Sequence, residues 1–99
     1  MAPSTTELSG AIGHHLRRRI LLAFLDGELA PPVSAGEVAA DLGERVGRVA
    51  YHLKVLATAG LLQLLPASEG QPRYAWAPGI EPAWLRLVLE LSADSGARS

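Results

Sequence analysis

Two short helices joined by a glycine-containing turn are written into residues 34–60, "SAGEVAADLGERVGRVAYHLKVLATAG", and few folds accept that arrangement. Ser34 followed by Glu37 has capping-box spacing: the hydroxyl accepts from an early amide while the carboxylate reaches back to the cap amide. Val38, Ala39 and Leu42 give this first helix an apolar side, and Gly43 ends it. A second helix is expected from Glu44 to about Ala59. Its Val49, Leu53 and Leu56 recur at i, i+4 and i+7 and must face inward, and Gly60 closes it.

The flanks extend the pattern. Upstream, Leu16, Ile20, Leu21, Phe24 and Leu25 mark a helix with one buried stripe, stopped at Asp26-Gly27. Gly10 and Gly13 weaken the stretch before it and point to a break near His14. Past Gly60 the period changes. "LLQLL", "PASEGQP" and "RYAWA" read as a β-hairpin with a loop at its tip, where Glu69 argues against strong wing contacts with a polyanion. "IEPAWLRLVLEL" is a last helix with Pro82 in its first turn, and "SADSGARS" is expected to fray. The chain therefore reads as one domain over 1–99. It is mostly α with a small β-hairpin: a helix-turn-helix at about 34–60, a wing at about 61–77 and a C-terminal helix at about 80–92. That is the outline of a winged helix-turn-helix.

Composition removes other classes. No apolar run among the 99 residues approaches the roughly 18 needed to span a bilayer, and the N-terminus lacks the basic-then-apolar order of a secretory signal. A soluble cytoplasmic protein is expected. With no cysteine, zinc–thiolate sites, disulfides and thiol redox sensing are excluded. His14 and His15 are adjacent, His52 belongs to another helix, and no acidic cluster sits at ligand spacing with them, so neither metal nor cofactor is expected. There is no phosphate-cradling glycine loop and no Gly-x-Ser-x-Gly elbow, so no enzyme is read here. The arginine-rich, Ala/Gly/Leu/Pro-rich bias fits a GC-rich genome and says nothing about function.

Three fragments in register resemble the ArsR-type regulators. "HHLRRRILLAFL" is similar to the family opening through His14, Leu16, Arg17, Arg19, Ile20 and Leu21. "GEVAADLG" is similar to its first motif helix through Glu37, Ala39, Leu42 and Gly43. "VAYHLKVLATAGLL" is similar to the next segment through Val49, His52, Leu53, Leu56, Ala59, Gly60 and Leu61. His15 stands where the family often has proline, and Arg45 where it usually has a serine cap. The cysteine metal box and the later His/Asp metal pattern are both absent, so metal sensing does not carry over. The resemblance implies a sequence-specific regulator of transcription, expected to repress, that meets double-stranded DNA as a homodimer built from its terminal helices. Its effector is unknown.

The residues support that expectation locally. Net charge is only −1, yet from Arg45 to Lys54 there are three positive charges and no negative one. Arg48, Tyr51 and Lys54 share one helical face, with His52 nearby. Arg48 is suited to guanine O6 and N7, Tyr51 to a thymine methyl or a phosphate, and Lys54 to a phosphate. Gly47 has two readings: a small residue tolerated near a helix end, or room for the backbone to approach DNA. Ser34 caps its helix, whose N-terminus can also hold a phosphate, and Arg73 can reach a phosphate from the second hairpin strand. Arg17, Arg18 and Arg19 point in three directions and are assigned to solvent or to intrachain pairs. In the last helix, Trp84, Leu85, Leu87, Val88 and Leu91 exceed what one small core needs and are assigned to a dimer interface. The rival reading is a winged-helix module that docks onto another protein. The two differ in salt dependence, which is steep for DNA and weak for an apolar interface.

Overall fold

The computed structural model describes residues 10–66 and 70–97, with side chains through residue 91. A helical turn at 10–12 precedes helix α1 (His15–Leu25). The two are separated at Gly13 and His14. His14 is extended (φ −91, ψ 132), and its ring Nδ1 accepts the Leu16 amide at 3.1 Å, so a histidine does the capping usually left to Ser or Asp.

Strand β1 (Val33–Ser34) runs directly into α2 (Ala35–Leu42). The capping box at α2 is complete: Glu37 N–H donates to the Ser34 hydroxyl at 3.2 Å and Ser34 N–H donates to the Glu37 carboxylate at 3.0 Å. Gly43 ends α2 in the left-handed region (φ 67), where a side chain would be strained. Gly43, Glu44 and Arg45 then form the turn into α3 (Val46–Thr58). This helix begins two residues later than expected, because Arg45 is extended and its side chain makes no cap hydrogen bond.

The wing holds one strand more than the sequence indicated. β2 (Leu62–Leu65) pairs antiparallel with β3 (Arg73–Trp76), and β1 pairs with the other edge of β3. The sheet order is β1-β3-β2, with Tyr74 opposite both Val33 and Leu64. β1 therefore anchors the wing to the start of the helix-turn-helix. The hairpin tip, with Glu69, lies outside the described residues.

Helix α4 (Pro82–Ala97) runs past the expected end near residue 92 and through most of the segment expected to fray. No glycine or proline interrupts it between Pro82 and Gly96, so nothing in the backbone stops it earlier. Its apolar residues divide between two faces. Leu85 and Leu89 are buried in the domain's own core, with Val88 packed beside them, while Trp84, Leu87 and Leu91 are exposed. Leu85, assigned above to a dimer interface, is thus a core residue: spacing separates the faces of a helix without saying which face meets its own domain.

The core is shared by every layer: Leu16, Ile20, Leu21 and Phe24 of α1, Val38 of α2, Val49, Leu53 and Leu56 of α3, Leu62 of β2 and Tyr74 of β3. Phe24 meets Trp76 edge to face at 5.4 Å. Two consecutive arginines of α1 lock the elements together around this core. Arg18 donates to the Leu89 carbonyl of α4 at 2.7 Å; Arg19 donates to the Leu42 carbonyl at 2.9 Å and pairs with Glu44 at 3.0 Å. Arg86 returns the tie from α4, reaching the Leu25 carbonyl and Asp26. Truncating fully buried Leu85 to alanine should cost about 2–5 kcal/mol in urea unfolding, whereas Leu64→Ala on the exposed side of β2 should stay within about 0.5 kcal/mol. Similar losses for both would mean α4 is not packed as described.

Candidate nucleic-acid interface

Helix α3 has a wholly buried side and a wholly exposed one. Val49, Leu53 and Leu56 are fully buried, which turns Arg48, Tyr51 and Lys54 outward along a single line. Arg45 and Gly47 are exposed at the same end. Among the described residues, Arg48 and Lys54 take part in none of the ion pairs, and Tyr51 is 62 % exposed. Thirteen helical residues extend about 20 Å, a length that lies readily in a major groove. A Cβ added at Gly47 would meet nothing within 4 Å, so nothing within the protein itself requires glycine there.

His52 does not belong to that exposed face. It is 5 % exposed, its ring lies 4.2 Å from the ring of His14, and Tyr51 packs edge-on against it. The Arg17 guanidinium sits 3.0 Å from His52 Nδ1. A guanidinium only donates, so Nδ1 accepts and the neutral ring carries its proton on Nε2. Arg17 also donates to the Ala11 carbonyl at 2.6 Å and the Gly10 carbonyl at 3.1 Å. One side chain thus fastens the helical turn at 10–12 to the back of α3. No sequence spacing links residues 14, 17 and 52, although the burial of His52 was readable: it lies i+3 from Val49 and i−4 from Leu56.

Two further assignments change in character. Ser34 is buried, its hydroxyl accepting the Glu37 amide, so any contact to a phosphate there falls to the helix end rather than to this side chain. Arg73 is exposed but held: it donates to Glu37 Oε1 at 2.6 Å and to the Pro32 carbonyl at 3.3 Å. The Ser34 amide and hydroxyl, reinforced by Arg73, hold the Glu37 carboxyl below its ordinary range. A phosphate must therefore share Arg73 with Glu37. On α4, Trp84, Leu87 and Leu91 form an exposed stripe at i, i+3 and i+7, with Val88 half-buried at its edge. No helix among the described residues is long and apolar enough to cross a membrane.

A helix-turn-helix followed by a β-hairpin wing, with a bare polar face on its second helix, defines a winged helix-turn-helix. Residues 12–64, just over half of the chain, match the model of the family described as helix-turn-helix domain, and the chain belongs to that family. It is accordingly a DNA-binding regulator in the broad sense of that class. None of the curated proteins matches it.

The buried histidine gives the stability of the fold a pH dependence. Burial lowers the pKa of His52 from its ordinary 6.5, and the electrostatics of neighbouring His14, Arg17 and Arg48 push the same way. The unfolded chain therefore takes up a proton on the way down in pH before the folded one does. Stability from this site is complete above pH 6.5 and is lost as pH falls below it. Urea midpoints should drop between about pH 7.5 and 5.5, and by less in His52→Gln. Equal drops in both proteins would show that the acid sensitivity lies elsewhere.

Proposed function

We propose that this protein is an ArsR-like transcriptional repressor that lacks the cysteine metal site and places α3 in the major groove as a homodimer. The observation that carries the reading is the exposed line Arg48, Tyr51 and Lys54, opposite the buried stripe that fixes its direction. Arg48, early in the helix, reads a guanine edge. Tyr51 packs on a thymine methyl or bonds a phosphate, and Lys54, Arg45 and the shared Arg73 hold phosphates. His52 acts from behind, setting the pitch of the helix rather than touching DNA.

The second α4 face supports the dimer. Trp84, Leu87 and Leu91 are large, apolar and exposed, and a two-fold pairing would bury them while presenting two recognition helices to a two-fold operator. Val88 leans on its own core, so Leu87 is the cleaner probe. Leu87→Asp should leave helical circular dichroism unchanged yet shift sedimentation from dimer to monomer and collapse operator affinity. A parent already monomeric at tens of micromolar would sink the dimer.

Salt and substitution separate the roles on α3. If a dimer neutralises about six to eight phosphates, log affinity should fall against log salt with a slope of roughly −5 to −7, and a slope near zero would favour protein docking instead. Arg48→Ala should cost about 1–3 kcal/mol on the operator and relax one base pair, while Lys54→Ala should weaken all duplexes alike. Gly47→Ala separates its two readings. The protein should gain about 0.5–1 kcal/mol of stability from the better helix former, and DNA affinity falls only if the backbone must approach the duplex.

A further inference from the structure

Between the helical turn at 10–12 and the outer side of α3 lies an open, mostly apolar groove of about 530 Å³. Buried Ala11 and Ala59 and half-buried Val55 line its inner part, and exposed Tyr51, Lys54 and Thr58 line its outer part. Among the described residues no carboxylate lines it, and Lys54 is the one charged side chain that does. Its far wall is held in place, because Arg17 grips the Gly10 and Ala11 carbonyls and is itself lodged against His52. The volume falls within the range of small-molecule sites, and an apolar lining with one convergent polar group is their usual chemistry.

We propose that this groove is an effector site for an amphipathic monocarboxylate, with the aliphatic chain or aromatic ring along Ala11, Val55 and Ala59 and the carboxylate on Lys54. A neutral apolar molecule would forgo the one ionic contact the groove offers, and a polyanion would find one cation among the described lining residues. The site is wired directly to the interface. Tyr51 and Lys54 are also in the set assigned to DNA, so a bound carboxylate removes a phosphate-binding cation from α3. Ligand and duplex therefore compete, and by linkage each lowers the affinity of the other by the same factor. This coupling, though not the site itself, rests on the DNA reading proposed above.

Titration of the full 15N-labelled chain with sodium octanoate and, separately, 1-octanol tests the site. Octanoate should shift the amides of Gly10, Ala11, Val55, Thr58 and Ala59 together, saturating with a Kd on the order of 1 mM for so small a ligand. Lys54→Met should weaken octanoate by at least about threefold and leave octanol unchanged, since only the carboxylate meets the exposed ammonium. Thr58→Trp, which fills the groove from an exposed position, should abolish both. Saturating octanoate should lower the duplex affinity of the parent by about threefold or more, but not that of Thr58→Trp. No shifts at these amides by about 20 mM, shifts centred on Trp84, Leu87 and Leu91, or unchanged octanoate affinity in Lys54→Met would each overturn the proposal. Groove binding by a chain that binds no duplex would uphold the site and sink the DNA reading alone.

Discussion

The stripe Val49, Leu53 and Leu56 is fully buried, and almost everything else about the molecule's outer surface follows from that burial. A helix has one rotational freedom about its own axis. Burying three large side chains spaced at i, i+4 and i+7 removes it, because a rotation large enough to expose them would forfeit several kilocalories of apolar transfer free energy. Arg48, Tyr51 and Lys54 then face outward as a matter of geometry. Capping at one end of α2 and the left-handed Gly43 at the other set the angle at which α3 leaves the turn, and the Arg19 bonds to Leu42 and Glu44 hold that turn against α1.

A second layer of organisation comes from arginines used as internal ties. Arg17, Arg18 and Arg19 look like a basic patch in the sequence, yet their guanidinium groups are spent inside the fold: Arg17 on the 10–12 turn and α3, Arg18 on the same turn and α4, Arg19 on the turn between α2 and α3. Main-chain carbonyls are the commonest acceptors. The planar fork suits this, since its several N–H donors point in fixed directions and let one side chain bridge acceptors on two elements. The basic face of the protein is consequently built from few residues, in keeping with a net charge near zero.

What could be read in advance was local, and what could not was long-range. Ser34, Glu37 and Gly43 announce the boundaries of α2 because caps act through residues three apart. The α3 stripe is equally local. β1 escaped because two residues carry no periodicity, and its strand character comes wholly from pairing with β3, some forty positions later. The contact of His14 and Arg17 with His52 depends on where α1 crosses α3, which no spacing within either helix encodes. Leu85 was assigned to the wrong face of α4 for the same reason: periodicity divides a helix into faces, and only the packed fold says which one turns inward. Among the candidate DNA contacts, the exposed line on α3 and the capping role of Ser34 were legible, whereas the engagement of His52 and Arg73 with neighbouring groups was not.

Arg48 and Lys54 belong to none of the ion pairs among the described residues, and Tyr51 is 62 % exposed, with its ring against His52. The scaffold therefore does not depend on what these three positions contain. Substitutions there leave the caps, the arginine ties and the buried stripe as they are, so the surface proposed to meet DNA can drift, duplicate and diverge without first being compensated in the interior. His52 marks the limit of that freedom. One residue along from Tyr51, it is already committed to the fold, and the boundary between variable and fixed runs between adjacent positions of the same helix.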